Sequence, residues 1–77
     1  MNVKLYTKVG CGLCDEAEDA LRSMQKVIQF ELALVYIEDD PALLHRLGDR
    51  VPVVYIDGRE VASAPINEAA LRAVLSA

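Results

Sequence analysis

Cysteine is scarce in this chain, with two in 77 residues. Without a second pair the fold cannot be a disulfide framework, so the thiols are free for other work. Basic residues are outnumbered, with 8 Lys and Arg against 12 Asp and Glu and a formal net charge of −4. That balance argues against nucleic acid as a partner, because phosphate binding needs clustered Lys and Arg. No apolar run approaches the roughly 18–20 residues that span a bilayer, and no membrane partner is expected. The opening Met1-Asn2-Val3-Lys4 runs directly into a strand-like segment and lacks the apolar block and cleavage site of a signal peptide, so the expected location is the cytoplasm. In that compartment a cysteine pair is more often catalytic or metal-binding than structural. The one histidine, His45, sits between Leu44 and Arg46 with no second ligand at metal-binding spacing, and no metal site is assigned. Linkers, repeats and low-complexity segments are also missing. Residues 1–77 therefore read as one domain. Its hydrophobic content of 53% suffices for a core, although at this length a core supplies only about 3–5 kcal/mol unless something reinforces it.

What is present centres on Thr7-Lys8-Val9-Gly10-Cys11-Gly12-Leu13-Cys14. A strand-like run ends at its start and a helix-period pattern begins at its end. A first thiol at such a junction faces the unpaired N–H groups and positive dipole end of the helix, which favour thiolate, the nucleophile of disulfide exchange. The second thiol, three residues on, lies about one turn away and within bonding reach. Lys8 also favours the thiolate, whereas Asp15 and Glu16 oppose it; the sequence leaves that competition open. Gly10 and Gly12 allow unusual backbone angles and the close approach of a partner chain.

Alternation over Val3–Thr7 predicts a first strand. Leu13, Ala17, Ala20, Leu21, Met24, Val27 and Ile28 recur at helical steps and predict a helix from about residue 12 to 26 with that face buried; Glu18 and Arg22 form a favourable pair on its outer side. The nearly continuous apolar run Phe30–Ile37 reads as a strand covered on both faces and parallel to the first. Asp40 caps, and Pro41 opens, a short helix with Leu43, Leu44 and Leu47 inward and Gly48 at its end. Arg50–Ile56 is a loop and third strand, with Pro52 at the strand's beginning. Asp57-Gly58 predicts a hairpin into a charged edge strand, Arg59–Ala62. Ser63-Ala64-Pro65 connects to a last helix capped by Asn67 and running through Ala77, with Leu71, Val74 and Leu75 inward. The order is β-α-β-α-β-β-α.

With the elements placed, the chain resembles the thioredoxin superfamily, and within it the short glutaredoxin-like proteins, over essentially its whole length. Three features carry the likeness: Cys11-Gly12-Leu13-Cys14 between strand and helix, Val51-Pro52 opening strand three, and the element order with the Asp57-Gly58 hairpin. It looks most like the small bacterial glutaredoxin-like group with Cys-x-Leu-Cys and Arg-Val-Pro. The resemblance implies an α/β, thioredoxin-like fold of glutaredoxin type, a four-stranded mixed sheet flanked by three helices. It implies a cis Pro52 lying against the active-site disulfide and a Val51 offering its backbone N–H and C=O to an extended substrate. Lys8 matches a basic residue that helps bind glutathione in glutaredoxins, and Arg50 stands where Thr is usual. Gly12-Leu13 replaces the usual Pro-Tyr, and Ser63-Ala64-Pro65-Ile66-Asn67 replaces a Gly-Gly and its neighbours that hold glutathione.

The expected function is thiol–disulfide oxidoreduction of protein or glutathione disulfides, with Cys11 as nucleophile and Cys14 resolving. Lys8, Gly12, Leu13, Arg50, Val51 and Pro52 form the substrate-binding set. No bound cofactor is expected; glutathione serves as reductant, or a thioredoxin reductase as partner, and the protein is monomeric. Two alternatives stand beside this. Dimerised Cys-x-x-Cys pairs could hold a metal or iron–sulfur cluster, since such sites usually need four ligands. The domain could also bind peptides at Val51-Pro52 without catalysis.

Overall fold

Val3, Leu5 and Thr7 alternate with Asn2, Lys4 and Tyr6, and this period of two places the first set on one buried face of strand β1, Asn2–Thr7. In a computed structural model describing residues 1–77, β1 is followed by helix α1 (Gly12–Met24), strand β2 (Glu31–Tyr36), a single 3-10 turn (Ile37–Asp39), helix α2 (Pro41–Leu47), strands β3 (Val53–Ile56) and β4 (Arg59–Ser63), and helix α3 (Glu68–Leu75). The strands form one mixed sheet in the order β2-β1-β3-β4. β1 runs parallel to β2 and antiparallel to β3, and β3 is antiparallel to β4.

Two cores lie on the two faces of this sheet. Val3, Leu5 and Val54 pack with Ala17, Ala20, Leu21 and Met24 of α1 and Leu71 and Leu75 of α3. Val53, which points opposite to Val54, packs instead with Ile37, Leu47, Val51 and Cys14. Tyr6 and Tyr55 join that second cluster, with ring centroids 5.1 Å apart in an edge-on arrangement. α1 and α3 thus cover one face, and the seven-residue α2 covers part of the other.

That short cover explains the main difference from the sequence-based expectation. β2 is not sheathed on both sides. It is an edge strand, with Leu32 and Leu34 packed inward while Glu31, Ala33 and Tyr36 are exposed. Its apolar density reflects a half-covered sheet face. Ile37, read as the strand's last residue, opens the 3-10 turn and is fully buried.

The helix stripes are narrower than predicted. α1 ends at Met24, leaving Val27 exposed in the turn beyond it. Leu13, Leu44 and Val74 also face outward from α1, α2 and α3. Each sits at the margin of its stripe, where period alone does not distinguish core from rim.

The caps and turn follow their local chemistry. Asp40 Oδ1 accepts from the Ala42 N–H at 2.9 Å, Pro41 fills the first helical position, and Gly48 closes α2. Asn67 Oδ1 accepts from the Ala70 N–H at 2.9 Å. Asp57 and Gly58 both have positive φ, 49° and 86°, as a tight turn matched to strand twist requires. Asp57 further ties the hairpin to β1, donating its N–H to Asn2 O and accepting the Asn2 N–H on Oδ1.

Candidate active site

The chain leaves β1 at Thr7 and enters α1 at Gly12, so Lys8–Cys11 must reverse direction in four residues. Gly10 makes the turn with φ of 74°, a region costly for residues with a Cβ. Gly12 has no positive φ, and an added Cβ there would meet nothing within 4 Å. The loop is held from outside: the Val9 N–H donates to Glu38 Oε2 of the 3-10 turn at 2.9 Å.

Cys11 is the N-cap of α1, and its extended backbone turns Sγ back over the helix start. There Sγ accepts the Cys14 N–H at 3.2 Å. A sulfur in this position receives a donor and the positive end of the peptide dipoles, both of which favour the ionised form once the sulfur is released. Cys11 and Cys14 are joined as a disulfide, with their Cα atoms 5.2 Å apart. The two sulfurs differ in access: Cys14 is fully buried in the second core, while Cys11 is partly exposed.

Val51 and Pro52 arrive beside this pair from the loop before β3. Both are buried, the peptide bond between them is cis, and Val51 belongs to the same cluster as Cys14. The Val51 N–H is not free, contrary to the expectation that it meets a substrate. It donates to Leu47 O at 3.1 Å, alongside the Arg50 N–H, because the chain leaving α2 folds tightly under its last turn. The Arg50 guanidinium pairs with Glu60 of β4.

A cleft of about 110 Å³ opens between the start of α1, Pro52 and the connector from β4 to α3; Leu13, the residue between Gly12 and Cys14, lines it, and neither cysteine does. Of the predicted substrate-binding residues it brings together Leu13 and Pro52; Lys8, Gly12, Arg50 and Val51 lie outside its lining. The other wall is Ala64, Pro65 and Ile66, with Glu16 and Glu68 carrying its only charges. The family likeness pointed to this connector only as the stretch that departs from the glutathione-holding pattern; its place opposite Pro52 depends on the hairpin folding back. Glu38 was likewise not legible, since it meets Val9 from 29 residues away. No three His, Cys, Asp or Glu side chains converge as metal ligands, and no helix is long and apolar enough to cross a membrane.

A mixed sheet with an N-capping, disulfide-bonded cysteine and a buried proline before β3 defines a thioredoxin-fold protein with a Cys-x-x-Cys disulfide. Residues 2–76 match the glutaredoxin-like domain (DUF836), and the chain belongs to that family. It is similar to the solved structure of protein XcR50 from X. campestris, at 39% identity, with 96% of this chain and 95% of that chain covered and a TM-score of 0.77. It is 32% identical to the uncharacterized protein Rv0508 of Mycobacterium tuberculosis over 92% of this chain and 78% of that protein. A mutant thioredoxin from Halobacterium salinarum shares the fold at 22% identity, with a TM-score of 0.70 over 97% of this chain and 71% of that chain.

Proposed function

We propose that this protein is a dithiol–disulfide oxidoreductase acting on protein disulfides. The observation that carries the reading is the inequality of the two bonded sulfurs, one capping a helix and partly exposed, the other buried one turn below. In the reduced protein the Cys11 thiolate attacks a substrate disulfide. A mixed disulfide forms, and the first substrate sulfur leaves as thiolate. Cys14, losing its proton, attacks Cys11 Sγ; the second substrate sulfur leaves and takes up a proton. Two electrons have then passed to the substrate, and the Cys11–Cys14 bond has re-formed. A reductant, glutathione or a thioredoxin reductase, must return two electrons to begin again.

Pro52 and Leu13 support the reading as the walls that would hold a substrate chain across Cys11. The Val51 carbonyl accepts no backbone hydrogen bond and is the group left to receive a substrate N–H.

The test is disulfide reduction by single variants. Cys11→Ser is expected to lose about 100-fold or more, since no accessible nucleophile is left. Cys14→Ser is expected to accumulate a mixed disulfide on Cys11, visible as added mass. Equal residual activity in the two variants would overturn the assignment.

A further inference from the structure

Resting on that reading, we propose that the cleft between Leu13 and Pro52 selects a protein segment whose half-cystine is flanked by Lys or Arg and by an apolar residue, and that it discriminates against anionic disulfides. The apolar part follows from exposure. Val9 and Leu13 bracket Cys11 with 74% and 55% of their surface open, and Leu13 continues into the cleft with Ala17, Pro52 and Ile66. A small polar disulfide would leave this surface wet, whereas a protein chain would cover it.

The charge part follows from what the walls present. Glu16 stands on α1 and Glu68 on α3, one on each bank, and neither makes an ion pair. No cation lines the cleft. Arg50, the basic residue nearest Pro52 in sequence, is held by Glu60. The start of α3 does not offer itself to a carboxylate either. Asn67 occupies the Ala70 N–H, and Glu68 adds a negative charge in the first turn. A cation entering here meets a carboxylate on each bank, while an anion such as glutathione disulfide meets like charge from both sides.

The experiment uses the full chain, reduced, against three disulfides. Two are synthetic peptides that differ only in Lys or Glu beside the half-cystine, and the third is neutral hydroxyethyl disulfide, to which each variant's peptide rates are referred. The Lys peptide is expected to react about tenfold faster than the Glu peptide at low ionic strength, the combined effect of two exposed charge contacts that attract one peptide and repel the other. Glutathione disulfide should fall with the Glu peptide. The preference should shrink to about twofold near 1 M salt, where the Debye length is about 3 Å. It should shrink equally in the Glu16→Gln/Glu68→Gln double variant, and Glu68→Lys alone should weaken it. Equal rates for the two peptides, or a faster Glu peptide, would overturn the proposal while exchange with hydroxyethyl disulfide left the oxidoreductase reading standing. A preference that survives in the double variant would overturn the assignment to these carboxylates. No exchange with any of the three would overturn both.

Discussion

Cys11 and Cys14 are chemically identical side chains made unequal by one helical turn. The first accepts a backbone N–H and keeps contact with solvent; the second is sealed among Ile37, Leu47, Val51 and Val53. Gly12 and Glu38 bear on the segment that carries Cys11, one within it and one holding it at Val9. Gly12 has open space where a Cβ would stand and no positive φ. Gly12→Ala should therefore fold with stability within about 1 kcal/mol of the parent, by helix propensity. If a substrate backbone passes close to position 12, the same change should slow reaction with a protein disulfide more than with hydroxyethyl disulfide. Equal slowing of both would remove close approach as the reason for glycine. Glu38 holds the loop through the Val9 N–H. In Glu38→Ala, amide hydrogen exchange at Val9 should accelerate by about tenfold, the loss of roughly 1.4 kcal/mol of protection, and Glu38→Gln should restore most of it. An unchanged Val9 rate would show that the loop is held by other means.

Helix starts and the hairpin are the elements best read from residues alone, because caps and tight turns depend on chemistry within four positions. Asp40-Pro41, Asn67 and Asp57-Gly58 are placed as their types require. Asn67→Ala should cost about 1 kcal/mol of unfolding free energy, measured by denaturant titration, through loss of the bond from the Ala70 N–H. A cost below a few tenths would show the α3 start to be solvated or recapped. Gly58→Ala should cost a similar amount, of order 1 kcal/mol, from backbone strain at φ of 86° rather than from a clash, since the added Cβ meets no atom within 4 Å. Helix ends and stripe margins were less legible. Leu13, Leu44 and Val74 obey the period yet lie outside, because a stripe's width depends on what covers it.

At the scale of the whole molecule the disulfide also bears on stability. Closing so short a loop constrains the unfolded chain by about 2 kcal/mol on the loop-entropy estimate. Favourable contacts to a Cys11 thiolate would act the other way, stabilising the reduced native state. The oxidised protein is therefore expected to unfold at higher denaturant than the reduced one, by an amount at or below that figure at neutral pH. A reduced form that is the more stable of the two would mean that the thiolate contacts outweigh the loop constraint, and would make the protein an oxidant rather than a reductant of its partners. The core sets the other limit. Leu21 is fully buried in the core that α1 and α3 share with the sheet, and Leu21→Ala should cost about 2–5 kcal/mol, enough to leave a chain of this size partly unfolded at 37 °C.

Local pattern sufficed for the β-α-β-α-β-β-α order, the thiol pair at a strand-to-helix junction and the proline before β3, since each depends on residues a few positions apart. Only the tertiary structure decided that β2 is an edge, that the Val51 N–H is spent on Leu47, that Glu38 holds the loop at Val9, and that Pro65 and Glu68 face Pro52 across a cleft. Those are contacts between distant segments. They follow from how much sheet surface three short helices can cover and from where the hairpin delivers α3, neither of which is written in the spacing of apolar residues along the chain.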